Sequence, residues 1–270
     1  MSGTSLEERV RDQLGFYPSY LVALEPTPGA ADLVWAETER VLTADWADRR
    51  GEWLGNAVTA TIEDYLPTSV AVRLDRVTFD EPSLQQTAEF FAFVLLRLGV
   101  GISAARYVLD GEETRLDHRK RAPVAAAATT EAPARWTTGA KANLPVEPSV
   151  SLVEPEVAPT HVAATYDYLT DALGMPNVNN IFRAFGSDPA FLTAVVDTQV
   201  TTRGVKPDLD HDLRSLYATS LNVDDEPPAF TPTDIDPVDR AAVAEQLQIF
   251  HDNLATLLVT LYLGTRFLTE

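Results

Sequence analysis

The sequence predicts an all-α fold: a pseudodimer of two tandem helical repeats within one chain, joined by a long Pro/Ala-rich linker. Three observations predict it. Apolar residues recur at helical spacing through most of the chain. Asp12-Gln13-Leu14-Gly15 returns as Asp171-Ala172-Leu173-Gly174, an offset of 159 residues, and Ala23-Leu24 through Pro28 returns as Ala184-Phe185 through Pro189, an offset of 161 at the proline. Between the copies the composition changes to Ala, Pro and Thr. The organisation expected is a first repeat over residues 1–116, a linker over 117–160 and a second repeat over 161–270. Two like halves create a cleft, and a cleft gathers side chains from both copies around one concave surface.

Taken in order, Thr4-x-x-Glu7 and Ser5-x-x-Glu8 are both capping-box patterns, opening a short helix with Leu6, Val10 and Leu14 on one face that Gly15 stops. Helix follows from Ala30 to Leu42 and from Gly51 to Leu66, where Trp53, Leu54, Ala57, Val58 and Ile62 keep helical spacing. Val70, Val72 and Leu74 alternate with Ala71 and Arg73, a strand-like pattern too brief to be more than a connector. Pro82 opens a strongly apolar helix that reaches Leu98 and can continue past Gly99 and Gly101 to Leu109. The linker is longer than a compact domain usually leaves unstructured, so it is expected to lie extended on the surface, with Trp136 and Leu152 as anchors. The second copy runs through helices at His161–Leu173, Pro189–Val205 and Asp208–Ser220, a Pro-rich loop from Asp224 to Pro232, and a terminal helix from Asp236 to Phe267. That last helix carries a wide apolar face that includes Val243, Leu247, Phe250, Leu254 and Leu261.

Composition closes several functional classes. Of the 270 residues 45% are hydrophobic, ample for a core, while the formal charge is −19 and only Lys120, Lys141 and Lys206 among 21 basic residues are lysines. That balance resembles a salt-adapted proteome, in which the Debye length falls to about 3 Å at 1 M salt and acidic self-repulsion is screened. Nucleic acid and anionic membrane are poor partners for such a surface. No cysteine occurs, which removes disulfides, thiolate nucleophiles and Cys-ligated metals together. Residues 1–8 have no apolar signal region, and Arg97 with Gly99, or Gly264 with Arg266, interrupt the most apolar runs, so no membrane span is expected and the cytoplasm is the expected address.

Gly174-Met175-Pro176-Asn177-Val178-Asn179-Asn180-Ile181-Phe182-Arg183-Ala184-Phe185, followed by Asp188-Pro189-Ala190-Phe191-Leu192, is similar to a segment of the DehI family, the group I 2-haloacid dehalogenases. A related segment occurs in carboxymuconolactone decarboxylase and AhpD-like helical proteins, but the AhpD peroxidase chemistry needs a Cys pair that is absent here. The DehI resemblance implies an all-helical pseudodimer that hydrolyses 2-halocarboxylic acids. In that family an Asp activates water for direct attack at the halogen-bearing carbon, with no covalent enzyme intermediate and no cofactor. Aligning the family's Arg-Ala pair with Arg183-Ala184 puts Asn179 on the family Asn, Asn180 on its Ser, and Ile181 where the base Asp should be. Isoleucine cannot accept a proton, so general-base assistance worth about 10²–10⁴-fold has to come from elsewhere, and no catalytic residue can be named. By the same resemblance a small carboxylic acid is the expected ligand, with Asn179, Asn180, Ile181 and Arg183 at its site and Tyr17 and Tyr20 as pocket walls.

Each candidate also has a plain structural reading. Asn180 is equally a helix cap and Arg183 the partner of a neighbouring acid. Tyr17 and Tyr20, placed by i, i+3 spacing on one helical face, are equally core aromatics. His251 and Asp252 lie in the terminal helix as a packed histidine and its neighbour or as groups facing the cleft, and Asp188 before Pro189 is first a cap. His118, His161 and His211 are scattered and make no metal-ligand spacing. Gly99-Val100-Gly101 lacks the third glycine of a nucleotide fingerprint, and no Gly-x-Ser-x-Gly elbow occurs. Two readings stay open: a DehI-like dehalogenase with a relocated base, and a catalytically silent binding or assembly protein on the same scaffold. Homodimerisation is left open as well.

Overall fold

The computed structural model describes residues 5–43, 45–66, 70, 79, 81–110, 150–173, 177–205, 208–220 and 237–268. Among them the fold is all-helical. The helices are α1 (Leu6–Leu14), α2 (Ser19–Leu24), α3 (Ala30–Thr43), α4 (Asp45–Tyr65), α5 (Pro82–Asp110), α6 (Thr160–Leu173), α7 (Asn180–Phe185), α8 (Pro189–Val205), α9 (Leu209–Ser220) and α10 (Pro237–Phe267), with a 3₁₀ turn at Pro155–Val157. The one pairing of extended backbone among these residues is an isolated bridge between Phe79 and Leu268.

Local chemistry sets the ends. Ser5 Oγ accepts from Glu8 N at 3.2 Å and Glu8 Oε2 accepts from Ser5 N at 2.8 Å, so of the two capping boxes in the sequence the Ser5 box closes on α1. Gly15 ends that helix in the left-handed region at φ 76°, its N–H donating to Arg11 O, a conformation open to glycine at little cost. Proline opens both long helices, Pro82 in α5 and Pro237 in α10, where its missing N–H has no intrahelical partner to lose. α4 begins at Asp45, earlier than the expected Gly51, and α5 runs unbroken through Gly99 and Gly101.

α5 and α10 form the centre. Their contact is the most extensive among the described residues, and one hydrophobic cluster draws on residues from both sides of segment 111–149. Within α5, Phe91, Ala92, Leu96, Leu98, Val100 and Ile102 are buried on every face, as are Leu254 through Leu263 in α10. Each such Leu or Phe contributes about 1.5–3 kcal/mol of hydrophobic stabilisation. This corrects one sequence expectation: the stretch Pro82–Ser103 is long and apolar enough to cross a bilayer despite Arg97, but 83% of its most apolar window is buried against other helices. Burial all round is the reason for its apolarity.

The packing has a pattern. α3 lies on α5 as α8 lies on α10, and α4 lies on α5 as α9 lies on α10. α2 touches α3 and crosses to α10, while α7 touches α8 and crosses to α5. α4 and α9 pack on each other, α4 also reaching α10 and α9 reaching α5. The α3–α4 contact lacks a counterpart of similar extent among the described residues. Polar links join the segments on either side of 111–149 too: Tyr262 Oη donates to Glu63 Oε1 at 3.1 Å, and Tyr65 Oη donates to Asp212. Leu152, expected as a linker anchor, packs against the core. Trp136, His118, the connector over residues 71–74 and the Pro-rich loop lie outside the described residues, as does most of the expected linker.

Candidate functional site

The two short helices converge on one cavity. It has a volume of about 50 Å³ and is walled by Phe16, Pro18, Ser19, Tyr20, Phe91, Val94, Leu95, Leu98 and Ile102 from before residue 111, and by Asn179, Asn180, Ile181, Phe250, Leu254 and Leu257 from after residue 149. The walls are paired in sequence. Phe91, Leu95 and Leu98 correspond to Phe250, Leu254 and Leu257 at a constant offset of 159 residues, and Pro18-Ser19-Tyr20 corresponds to Asn179-Asn180-Ile181 at 161. Reading for helical faces misses this register, because a helix buried all round marks no face; comparing the two long helices position by position finds it.

Of the six residues expected at the site, Tyr20, Asn179, Asn180 and Ile181 line the cavity, and Tyr17 and Arg183 do not. The i, i+3 argument for Tyr17 fails at Pro18. This residue is the N-cap of α2, with φ −64° and ψ 139°, so Tyr17 precedes the helix, and a residue before proline is steered away from helical backbone. Tyr17 sits half-buried beside Glu25, and burial together with that carboxylate pushes its phenol up to about 12. Tyr20 is buried; its ring is edge-on to Phe250, and its hydroxyl lies beside that of Thr38, whose own proton goes to Val34 O at 2.7 Å. Burial pushes the Tyr20 phenol up, so it stays neutral.

α7 is built by caps. Asn179, rather than Asn180, is the N-cap, its Oδ1 accepting from Ile181 N at 3.0 Å. Arg183 Nη1 donates to Asn180 Oδ1 at 2.9 Å, and Nη2 is paired with Glu154. Behind α7, Val153 N donates to Arg183 O, and Tyr166 Oη bridges Val153 O at 3.3 Å and Phe182 O at 3.4 Å. A Cβ on Gly186 would stand 2.2 Å from that hydroxyl, so glycine is required for this approach. Asp188 caps α8 as expected, Oδ1 accepting from Ala190 N and Phe191 N.

The other candidates lie elsewhere. Asp252 is exposed and engaged by Arg214 at 3.3 Å and Gln248 at 2.6 Å; His251 packs near the Tyr217 ring at 6.5 Å. Neither lines the cavity. Among its described lining residues there is no Asp, Glu, His, Lys or Arg, and among all the described residues no group of three or more His, Asp or Glu could hold a metal. The cavity can therefore enclose a small molecule against apolar walls and offer hydrogen bonds from Ser19, Asn179 and Asn180. No protein-family model matches the chain, and no curated protein matches it.

Proposed function

We propose that this is a small-molecule binding protein on a DehI-like pseudodimer scaffold, silent for the family's dehalogenation. The observation that carries the reading is Ile181: the residue aligned with the family's water-activating Asp lines the inter-half cavity and is 2% exposed. Among the described lining residues a water held beside it meets no base to take its proton. Support for the duplicated scaffold comes from the five helices among the described residues on each side of segment 111–149, from the exchange of helix partners between them, and from cavity walls that repeat at offsets of 159 and 161.

Halide release tests it. Both enantiomers of 2-chloropropionate are incubated with the natural chain and with Ile181→Asp in high salt. The expected outcome is no release above buffer from the natural chain and measurable release from the variant. Release by the natural chain overturns the silent reading in favour of a dehalogenase with a base elsewhere. Release from neither, with the variant folded, counts against the family alignment at this position.

A further inference from the structure

We propose that the cavity selects a small neutral molecule bearing one acceptor oxygen, a ketone or aldehyde of about four heavy atoms, anchored on the side-chain amide of Asn180; this rests on the reading of the cavity as a ligand site. The size follows from a cavity volume of about 50 Å³, in which about 10–15 Å³ holds one water-sized group. Asn180 is 7% exposed and lines the cavity, and its side chain makes one hydrogen bond, received at Oδ1 from Arg183 Nη1. A guanidinium only donates, so the amide branch facing it is the oxygen and the other branch is the NH₂. Arg183 is thus a positioning residue. It sets the amide so that Oδ1 is engaged by the guanidinium and the NH₂, with its two N–H donors, is the branch left to meet a ligand.

A carboxylate also accepts from an amide, and charge decides between the two. No cation is present among the described lining residues. The Arg183 guanidinium is paired with Glu154, and the Ile181 N–H is taken by Asn179 Oδ1. Burying an anion against Phe91, Leu95 and Leu254 with no counter-charge is disfavoured by desolvation, and a net charge of −19 lowers the local concentration of anions before they arrive. A neutral carbonyl escapes both terms and keeps the hydrogen bond.

The test uses three near-isosteric probes, acetone, acetate and isobutene, titrated into the full chain and followed by amide and methyl NMR. Acetone is expected to bind at least tenfold more tightly than acetate and to shift the Asn180 side-chain NH₂ resonance, while isobutene binds more weakly than acetone and leaves that resonance in place. Asn180→Asp keeps the shape and the Arg183 partner but removes the donor, so acetone weakens about tenfold with isobutene unchanged. Arg183→Met frees the amide to turn, weakening acetone and sparing isobutene. Acetate equal to or tighter than acetone overturns the proposal, as does acetone binding unaltered in Asn180→Asp. In both cases bound isobutene would keep the cavity itself as a site; if none of the three binds, the ligand-site reading falls with it.

Discussion

The ring of Tyr20 stands edge-on to that of Phe250, centroids 6.0 Å apart and planes inclined by 66°, so one aromatic pair stitches α2 to α10 at the cavity wall. Because the Tyr20 hydroxyl is buried with no well-formed hydrogen bond beyond its approach to Thr38, its stabilising part is chiefly the ring. Tyr20→Phe is expected to leave stability unchanged or raise it by up to about 1 kcal/mol, whereas Tyr20→Ala costs about 3–5 kcal/mol. Urea unfolding checks both, and a loss above about 1 kcal/mol in Tyr20→Phe would mean the hydroxyl is bonded in solution.

Two helical glycines should respond in opposite directions to alanine. A Cβ on Gly99 of α5 would lie 2.1 Å from Tyr217 Cε1 of α9, whereas one on Gly204 of α8 meets nothing within 4 Å. Alanine is favoured over glycine in a helix by about 1 kcal/mol, so Gly204→Ala stabilises by up to that amount. Gly99→Ala must displace a buried ring and costs about 1–3 kcal/mol net. Thermal and urea midpoints of the two variants give the comparison.

Alkaline pH is expected to unfold the protein. Tyr65 is raised to about 12, chiefly by its hydrogen bond to Asp212, and Tyr166 to about 12, chiefly by burial; burial likewise raises Tyr217 and Tyr262. Folded values above the unfolded value of about 10 mean that between these limits the folded chain binds more protons than the unfolded one. Stability is therefore intact below about pH 10 and falls as pH rises toward 12 and beyond. Tyrosine absorbance titration with parallel denaturant melts tests this; ionisation of all eight tyrosines near pH 10 with the fold intact contradicts it.

Salt should stabilise. With 40 acidic against 21 basic residues, the folded surface repels itself more than the expanded chain does, and added salt screens that repulsion. The unfolding midpoint is expected to climb from low to multimolar KCl. A level midpoint removes this account of the charge.

What the sequence makes legible is what local chemistry decides. The Ser5 box, the Gly15 stop, the Asp188 cap and the prolines opening α5 and α10 act within a few residues of themselves, so they read directly. Asn179, Asn180, Ile181 and Tyr20, expected at a site from the DehI resemblance, line the cavity. Arg183 was expected to pair with an acid and does, but which acid was not legible, because Glu154 lies 29 residues away and nothing local marks that pairing. Nor were Phe91, Leu95 and Leu98, since helices buried on all sides carry no periodic signal of which face meets a hollow. Tyr17 was misplaced because periodicity was carried across a proline that starts the helix after it.

A crystal structure under xenon pressure tests most directly whether the halves enclose one ligand space. The account predicts a xenon atom between the Phe91–Leu95–Leu98 wall and its Phe250–Leu254–Leu257 counterpart, beside Ile181. An empty position there, with the two walls closed against each other or turned apart, would contradict it.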